Sequence, residues 1–135
     1  MRIESLEVKR FSLHPPIPLS VAYGSYPTLD YVYLLLRADN GLTGLGEAAP
    51  DPEVTGETQD SCLQMLQRAG GWLVGRDPFE IEAILAAFEE ESFGQPSAMA
   101  ALDMALYDLV GKALGAPVFR LLGGSARRAM ELYPV

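Results

Sequence analysis

One cysteine, one histidine and one tryptophan stand in 135 residues, and each scarcity closes a route. A lone thiol, Cys62, forms no internal disulfide, and on an apolar helix it reads as a small core residue rather than a nucleophile. His14 precedes Pro15 with no second histidine or cysteine at ligand spacing, so no zinc pattern forms around it and it reads as a loop or packing residue. A Ser/His/Asp set and a phosphate-binding loop are absent as well. Basic charge is short: 10 Lys and Arg against 18 Asp and Glu leave a formal charge of -8, which repels nucleic-acid backbones and anionic lipid. No window approaches the ~18 apolar residues of a membrane span, and the start MRIESLEVKRF has no hydrophobic signal core. The chain is expected to act in the cytoplasm, without nucleic-acid or membrane partners.

What is present divides into strands first and helices afterwards. Ile3, Leu6, Val8 and Phe11 alternate with polar residues as in a half-buried strand, and Tyr31–Ala38 and Leu42–Ala48, joined by the turn Asp39-Asn40-Gly41, predict two more. Between the first two lies HPPIPLSVAYGSYPTL, residues 14–29, with four prolines and a glycine, too many breakers for regular structure yet rich in apolar side chains. After Pro50 helix formers take over. A helix is expected to open at Thr55 or Gly56 with Glu57 in its first turn, and a second at Asp77-Pro78, through Ile81, Ile84, Leu85 and Phe88 to a solvated Glu89-Glu90-Glu91. The fold class predicted is α+β, a three-stranded antiparallel meander packed on a helical bundle.

The most specific stretch is SAMAALDMALYDLVGKALGAPVFRLLGG, residues 97–124. Pro96 suits a first helical turn, Ala98, Leu102, Ala105, Leu106, Leu109 and Ala113 fall on one face, and Gly115 supplies the stop. Small side chains at Ala100, Ala101 and Ala105 invite close approach by another helix, and Asp108 precedes Lys112 by one helical turn as a surface pair. Pro117 restarts a short turn. Asp103 and Asp108 lie five apart, do not share a face, and read as structural carboxylates. Glu47, in Gly44-Leu45-Gly46-Glu47-Ala48-Ala49-Pro50, is an acid at a strand end without a partner at ligand spacing, and reads as a structural acceptor.

With A-x-D-M-A-L-Y-D, G-K-A-L-G-x-P and L-L-G-G in fixed order, the chain resembles the mandelate racemase and muconate lactonizing enzyme branch of the enolase superfamily. The resemblance implies an N-terminal capping domain over residues 1–125, with 126–135 as linker and start of the first strand of a (β/α) barrel that is absent from this chain. Such a barrel needs on the order of 200 further residues. In this branch the barrel carries two lysines as acid and base and three acidic ligands for Mg2+, which stabilises an enediolate. The resemblance therefore places no catalytic residue and no metal ligand in this chain.

The continuation Val54-Thr55-Gly56-Glu57-Thr58 looks like the dipeptide epimerase members, while Pro134 departs from a pattern in which threonine often stands there. The implied substrate is a dipeptide or an N-acyl amino acid, and the expected partners are that small molecule, the chain's own C-terminal barrel and further copies in a homo-oligomer. Capping loops close over the substrate, which makes Leu19, Val21, Tyr23, Gly24 and Tyr26 on the first loop, and Val54 and Thr55 on the second, the expected substrate-binding residues. Members acting on dipeptides with a glutamate end commonly present a basic residue from the first loop. Here no lysine or arginine stands between Arg10 and Arg37, and Gly24 occupies about that place, which argues for a non-acidic substrate side chain. The competing readings are an o-succinylbenzoate synthase with N-acylamino acid racemase activity, a muconate-type cycloisomerase, and a free-standing interaction module.

Overall fold

A computed structural model of the chain describes residues 1–92, 94–127 and 129–132. Its elements run β1 (Ile3–Leu13), β2 (Leu19–Val21), β3 (Gly24–Tyr26), β4 (Leu29–Ala38), β5 (Thr43–Ala48), α1 (Gln59–Leu73), α2 (Ile81–Glu91), α3 (Pro96–Leu114) and α4 (Val118–Leu121). The strands β1, β4 and β5 form an antiparallel sheet with β4 in the centre. Alternation decides its faces: Val32, Leu34, Leu36 and Ala38 of β4 are buried under the helices, while Tyr31 and Tyr33 lie on the outer face with Phe11, ring centroids 5.3 and 6.4 Å from it.

The core sits between this sheet and α1 and α3, where Leu66, Leu73, Leu102, Leu106 and Leu109 are fully buried. Each contributes about 1.5–3 kcal/mol relative to an exposed side chain. The helix α3 ends in a Schellman motif: Gly115 takes φ 62°, its N–H donates to the Lys112 carbonyl, and the Ala116 N–H donates to the Gly111 carbonyl at 2.9 Å. It is a strand, not a helix, that uses the small residues of α3. Gly44 and Gly46 of β5 lie against the α3 backbone, and a Cβ at either would fall on the carbonyl oxygen of Ala105 or Ala101. Ala101 and Ala105 are buried accordingly, whereas Ala100 and Ala113 are exposed and take no part. At the strand's open edge Asp108 accepts from the Leu45 N–H at 2.9 Å and Lys112 donates to the Thr43 carbonyl at 2.8 Å, so the expected surface pair also satisfies a sheet edge.

Three expectations need correction. The proline-rich segment is not wholly irregular: β2 and β3 pair as a hairpin, Leu19 opposite Tyr26 and Val21 opposite Gly24, because its prolines stand outside the six paired residues. The first helix opens at Gln59 rather than Thr55 or Gly56, with Thr58 as its cap: its hydroxyl accepts from the Ser61 N–H at 3.1 Å while Ser61 Oγ accepts from the Thr58 N–H. Asp77 makes a local turn, accepting from the Phe79 N–H at 3.1 Å, and α2 begins only at Ile81. Tyr133, Pro134 and Val135 lie outside the described residues.

The glycine contact generates a stability test. Gly46→Ala, which drives a methyl into the Ala101 carbonyl, is expected to lower unfolding free energy by about 3 kcal/mol. Gly71→Ala on the open side of α1, where a Cβ meets nothing, is expected to raise it by about 0.5–1 kcal/mol. Urea denaturation of the two variants beside the parent checks both signs.

Candidate functional site

The sheet brings two loops to one end. Leu13 pairs with Leu29 at the end of β1, and Ala48, the last residue of β5, pairs with Val32 near the start of β4. The hairpin segment 14–28 and the loop after Ala48 therefore leave the sheet side by side. Between them opens a cleft of about 400 Å³, walled by Leu19, Val21, Tyr23 and Tyr26 on one side, by Ala49 to Pro52 on the other, and floored by the start of β4.

Tyr23 spans the cleft. Its hydroxyl donates to Asp51 Oδ2 at 3.4 Å, and its ring meets Tyr26 edge to face at 6.5 Å. Asp51 is held from behind, where Oδ1 accepts from the Glu53 N–H at 3.0 Å and its carbonyl accepts from the Val54 and Thr55 N–H groups at 3.1 and 2.8 Å. Partial desolvation pushes the phenols of Tyr23 and Tyr26 above their ordinary range, and the negative charge of Asp51 adds to that. The wall is thus apolar and aromatic with a negative edge.

Of the residues expected to meet substrate, Leu19, Val21, Tyr23 and Tyr26 are brought together here. Gly24 lies opposite Val21 in the hairpin, where a Cβ would meet the Tyr26 ring at 3.6–3.7 Å. Val54 and Thr55 do not line the cleft: Val54 is 65% exposed, and the Thr55 hydroxyl is turned to the Asp51 carbonyl at 3.2 Å. Asp30, Asp51 and Tyr31, which do line it, were not among the expected residues. The signal for Asp51 was its place between Pro50 and Pro52, which fixes a projecting turn.

The largest surprise is Glu57. Expected at the start of α1, it is instead 2% exposed and caps α3: its carboxylate accepts from the Ser97 N–H at 2.9 and 3.0 Å and from the Ala98 N–H at 3.2 Å. Burial acts to raise its pKa, but the bonds from Ser97, Thr55 and Ala98 outweigh it and hold the group below the usual carboxylate range. Cys62 is fully buried as expected, and its thiol donates to Glu57 Oε1 at 3.4 Å. Burial, then the Glu57 charge, pushes that thiol to about 12, so it is no nucleophile. Glu47 stands exposed on the outer sheet face and accepts no hydrogen bond from a described residue. Asp103, whose carboxyl desolvation and then Glu82 raise, has no hydrogen-bond or ion-pair partner among the described residues. His14 lies exposed in the loop. Among the described residues no three His, Cys, Asp or Glu side chains group to hold a metal.

Comparison with known proteins gives one family. The mandelate racemase / muconate lactonizing enzyme N-terminal domain matches residues 5–123. The chain is 34% identical over its whole length to an N-succinyl-L-Arg/Lys racemase of Bacillus cereus, covering 36% of that protein, and the racemase structure superposes on 94% of this chain with a TM-score of 0.90. It is 37% identical over 91% of its length to an L-Lys-D/L-Arg epimerase of Methylococcus capsulatus, of which it covers 35%. A dipeptide epimerase of Enterococcus faecalis, solved with Mg and the dipeptide L-Leu-L-Tyr, matches 92% of the chain at 32% identity with a TM-score of 0.88, again over 35% of that protein. The chain thus spans about a third of the length of these relatives.

Because the folded pKa of Glu57 lies below its unfolded value, its stabilisation is complete above the ordinary carboxylate range and fades as pH falls through the folded value. Glu57→Gln is expected to be less stable than the parent at pH 7 and to lose less of its stability on acidification. Melting temperatures across pH 2–7 check the convergence of the two curves.

Proposed function

The chain belongs to the mandelate racemase / muconate lactonizing enzyme N-terminal domain family, and on that premise we propose that it caps an isomerase, a dipeptide epimerase acting by α-proton abstraction beside a carboxylate, whose substrate carries a non-acidic side chain. The observation that carries this reading is the cleft: Leu19, Val21, Tyr23 and Tyr26 line it together with Asp30 and Asp51, and among the described residues no lysine or arginine does. A substrate carboxylate brought there loses water and gains no cation, while an aliphatic, aromatic or cationic end meets apolar area and a negative edge. The three relatives named above carry Arg, Lys, Leu or Tyr in their names or bound dipeptide, and the racemase joins its Arg or Lys to an acidic succinyl group. The match to the N-succinyl amino acid racemase along the whole chain favours N-acylamino acid racemisation as the second reading.

In this reading the domain's own residues bind and exclude water; they move no proton. Leu19, Val21, Tyr23 and Tyr26 cover the variable part of the substrate, Gly24 leaves the hairpin side open, and the loop bearing Val54 and Thr55 supports Asp51. The relative solved with Mg, of which this chain covers 35%, supports placing Mg2+, the acid and the base on a barrel in the remainder of the protein. The barrel's docking surface in this reading is the groove of about 350 Å³ between β5, α3 and α4, where Leu45, Met104, Tyr107, Val118 and Leu122 stand with Asp103 and Asp108. Leu45 and Leu122 are 54% and 63% exposed there.

Two outcomes test this. In the complete protein, dipeptides with neutral or cationic side chains are expected to exceed an acidic counterpart by about tenfold or more in kcat/KM, and Asp51→Arg to narrow that ratio; preference for the acidic dipeptide overturns the reading. The 135-residue chain expressed alone is expected to associate through the Leu45–Leu122 groove, and a monodisperse monomer in sedimentation would favour a free-standing module instead.

A further inference from the structure

Both walls of the cleft are fastened through three consecutive residues, Glu57, Thr58 and Gln59. Glu57 grips the Ser97 and Ala98 N–H groups, and the Ser97 hydroxyl in turn donates to the Ala49 carbonyl at 3.3 Å. The two ends of the Asp51 loop, residues 49 and 57, are therefore tied to one residue at the start of α3. Gln59 does the same for the other wall: its Nε2 donates to the Phe11 carbonyl at 3.1 Å and to the Tyr31 carbonyl at 2.9 Å, joining the strands from which the hairpin segment departs. Thr58, capping α1, locks the backbone that carries both side chains.

Nothing within the cleft sets its width with comparable strength. Among the described residues the one hydrogen bond across it, Tyr23 to Asp51, is 3.4 Å long and exposed, and the remaining polar contacts of Asp51 lie within its own turn. Glu57, by contrast, is a buried charge that accepts from two backbone N–H groups at 2.9–3.2 Å, a class of bond worth about twice a neutral one.

We propose that Glu57 and Gln59 are positioning residues for substrate discrimination: neither lines the cleft, and together they fix the Asp51 loop and the hairpin base at the spacing that a substrate side chain reads. The proposal rests on the cleft being the substrate wall. A merely structural role predicts that their loss lowers the amount of folded enzyme and leaves the choice among substrates intact, since the ratio of two kcat/KM values does not depend on the fraction folded.

The test uses the complete protein and two dipeptides alike except for a neutral and an acidic side chain, with Glu57→Gln, Gln59→Leu and, as a core control, Leu102→Ala. The ratio of kcat/KM values is expected to fall by about tenfold in both positioning variants and to stay at the parental value in Leu102→Ala. A ratio within twofold of the parent in both overturns the proposal. Gln59→Leu removes no buried charge and carries the test alone if Glu57→Gln does not fold. If the parent turns over neither dipeptide, the functional reading fails on its own, and hydrogen exchange decides: faster exchange confined to residues 49–56 in Glu57→Gln, or to 19–26 in Gln59→Leu, supports the positioning role, and parental exchange in both overturns it.

Discussion

The structure depends on a contact made without side chains. Gly44 and Gly46 let β5 lie directly on the backbone of α3 at Ala101 and Ala105, closer than any residue with a Cβ permits. That approach fixes the height and direction of the longest helix against the sheet, and the leucines beside it, Leu102, Leu106 and Leu109, fill the space that remains. Asp108 and Lys112 then clip the outer edge of β5, so the strand cannot slide along the helix without losing both bonds.

Once α3 is so placed, its first residues arrive at the end of the sheet from which the loops depart. A helix start there exposes unpaired N–H groups in a buried setting, and Glu57 satisfies two of them with a full charge. The carboxylate remains ionised at neutral pH despite its burial because those donors outweigh desolvation. One constraint thus propagates from a pair of glycines to a helix terminus, from the terminus to a buried acid, and from the acid to the loop that carries Asp51.

In the function proposed, this arrangement separates discrimination from chemistry. The cleft there selects by area and charge, through apolar side chains and a carboxylate. A capping domain of this design alters its preference through loop residues while the packing beneath them stays the same.

Much of this was legible in the chain. Alternation and turn residues marked the three long strands, Pro96 and Gly115 bounded α3, and the ordered motifs from Ala101 to Gly124 identified the family. Leu19, Val21, Tyr23 and Tyr26 drew attention because apolar residues in a breaker-rich segment must cover something, and they line the cleft. Asp51 and Glu57 escaped because their partners lie 28 and 40 residues away, and no local pattern encodes a hydrogen bond across that distance. Sequence by itself determined the elements and the family, since periodicity, breakers and short motifs are properties of neighbouring residues. Tertiary structure alone decided that Glu57 caps α3 rather than α1, that Thr55 turns inward, and that Asp51 faces Tyr23, because each follows from where the β5 glycines allow α3 to settle.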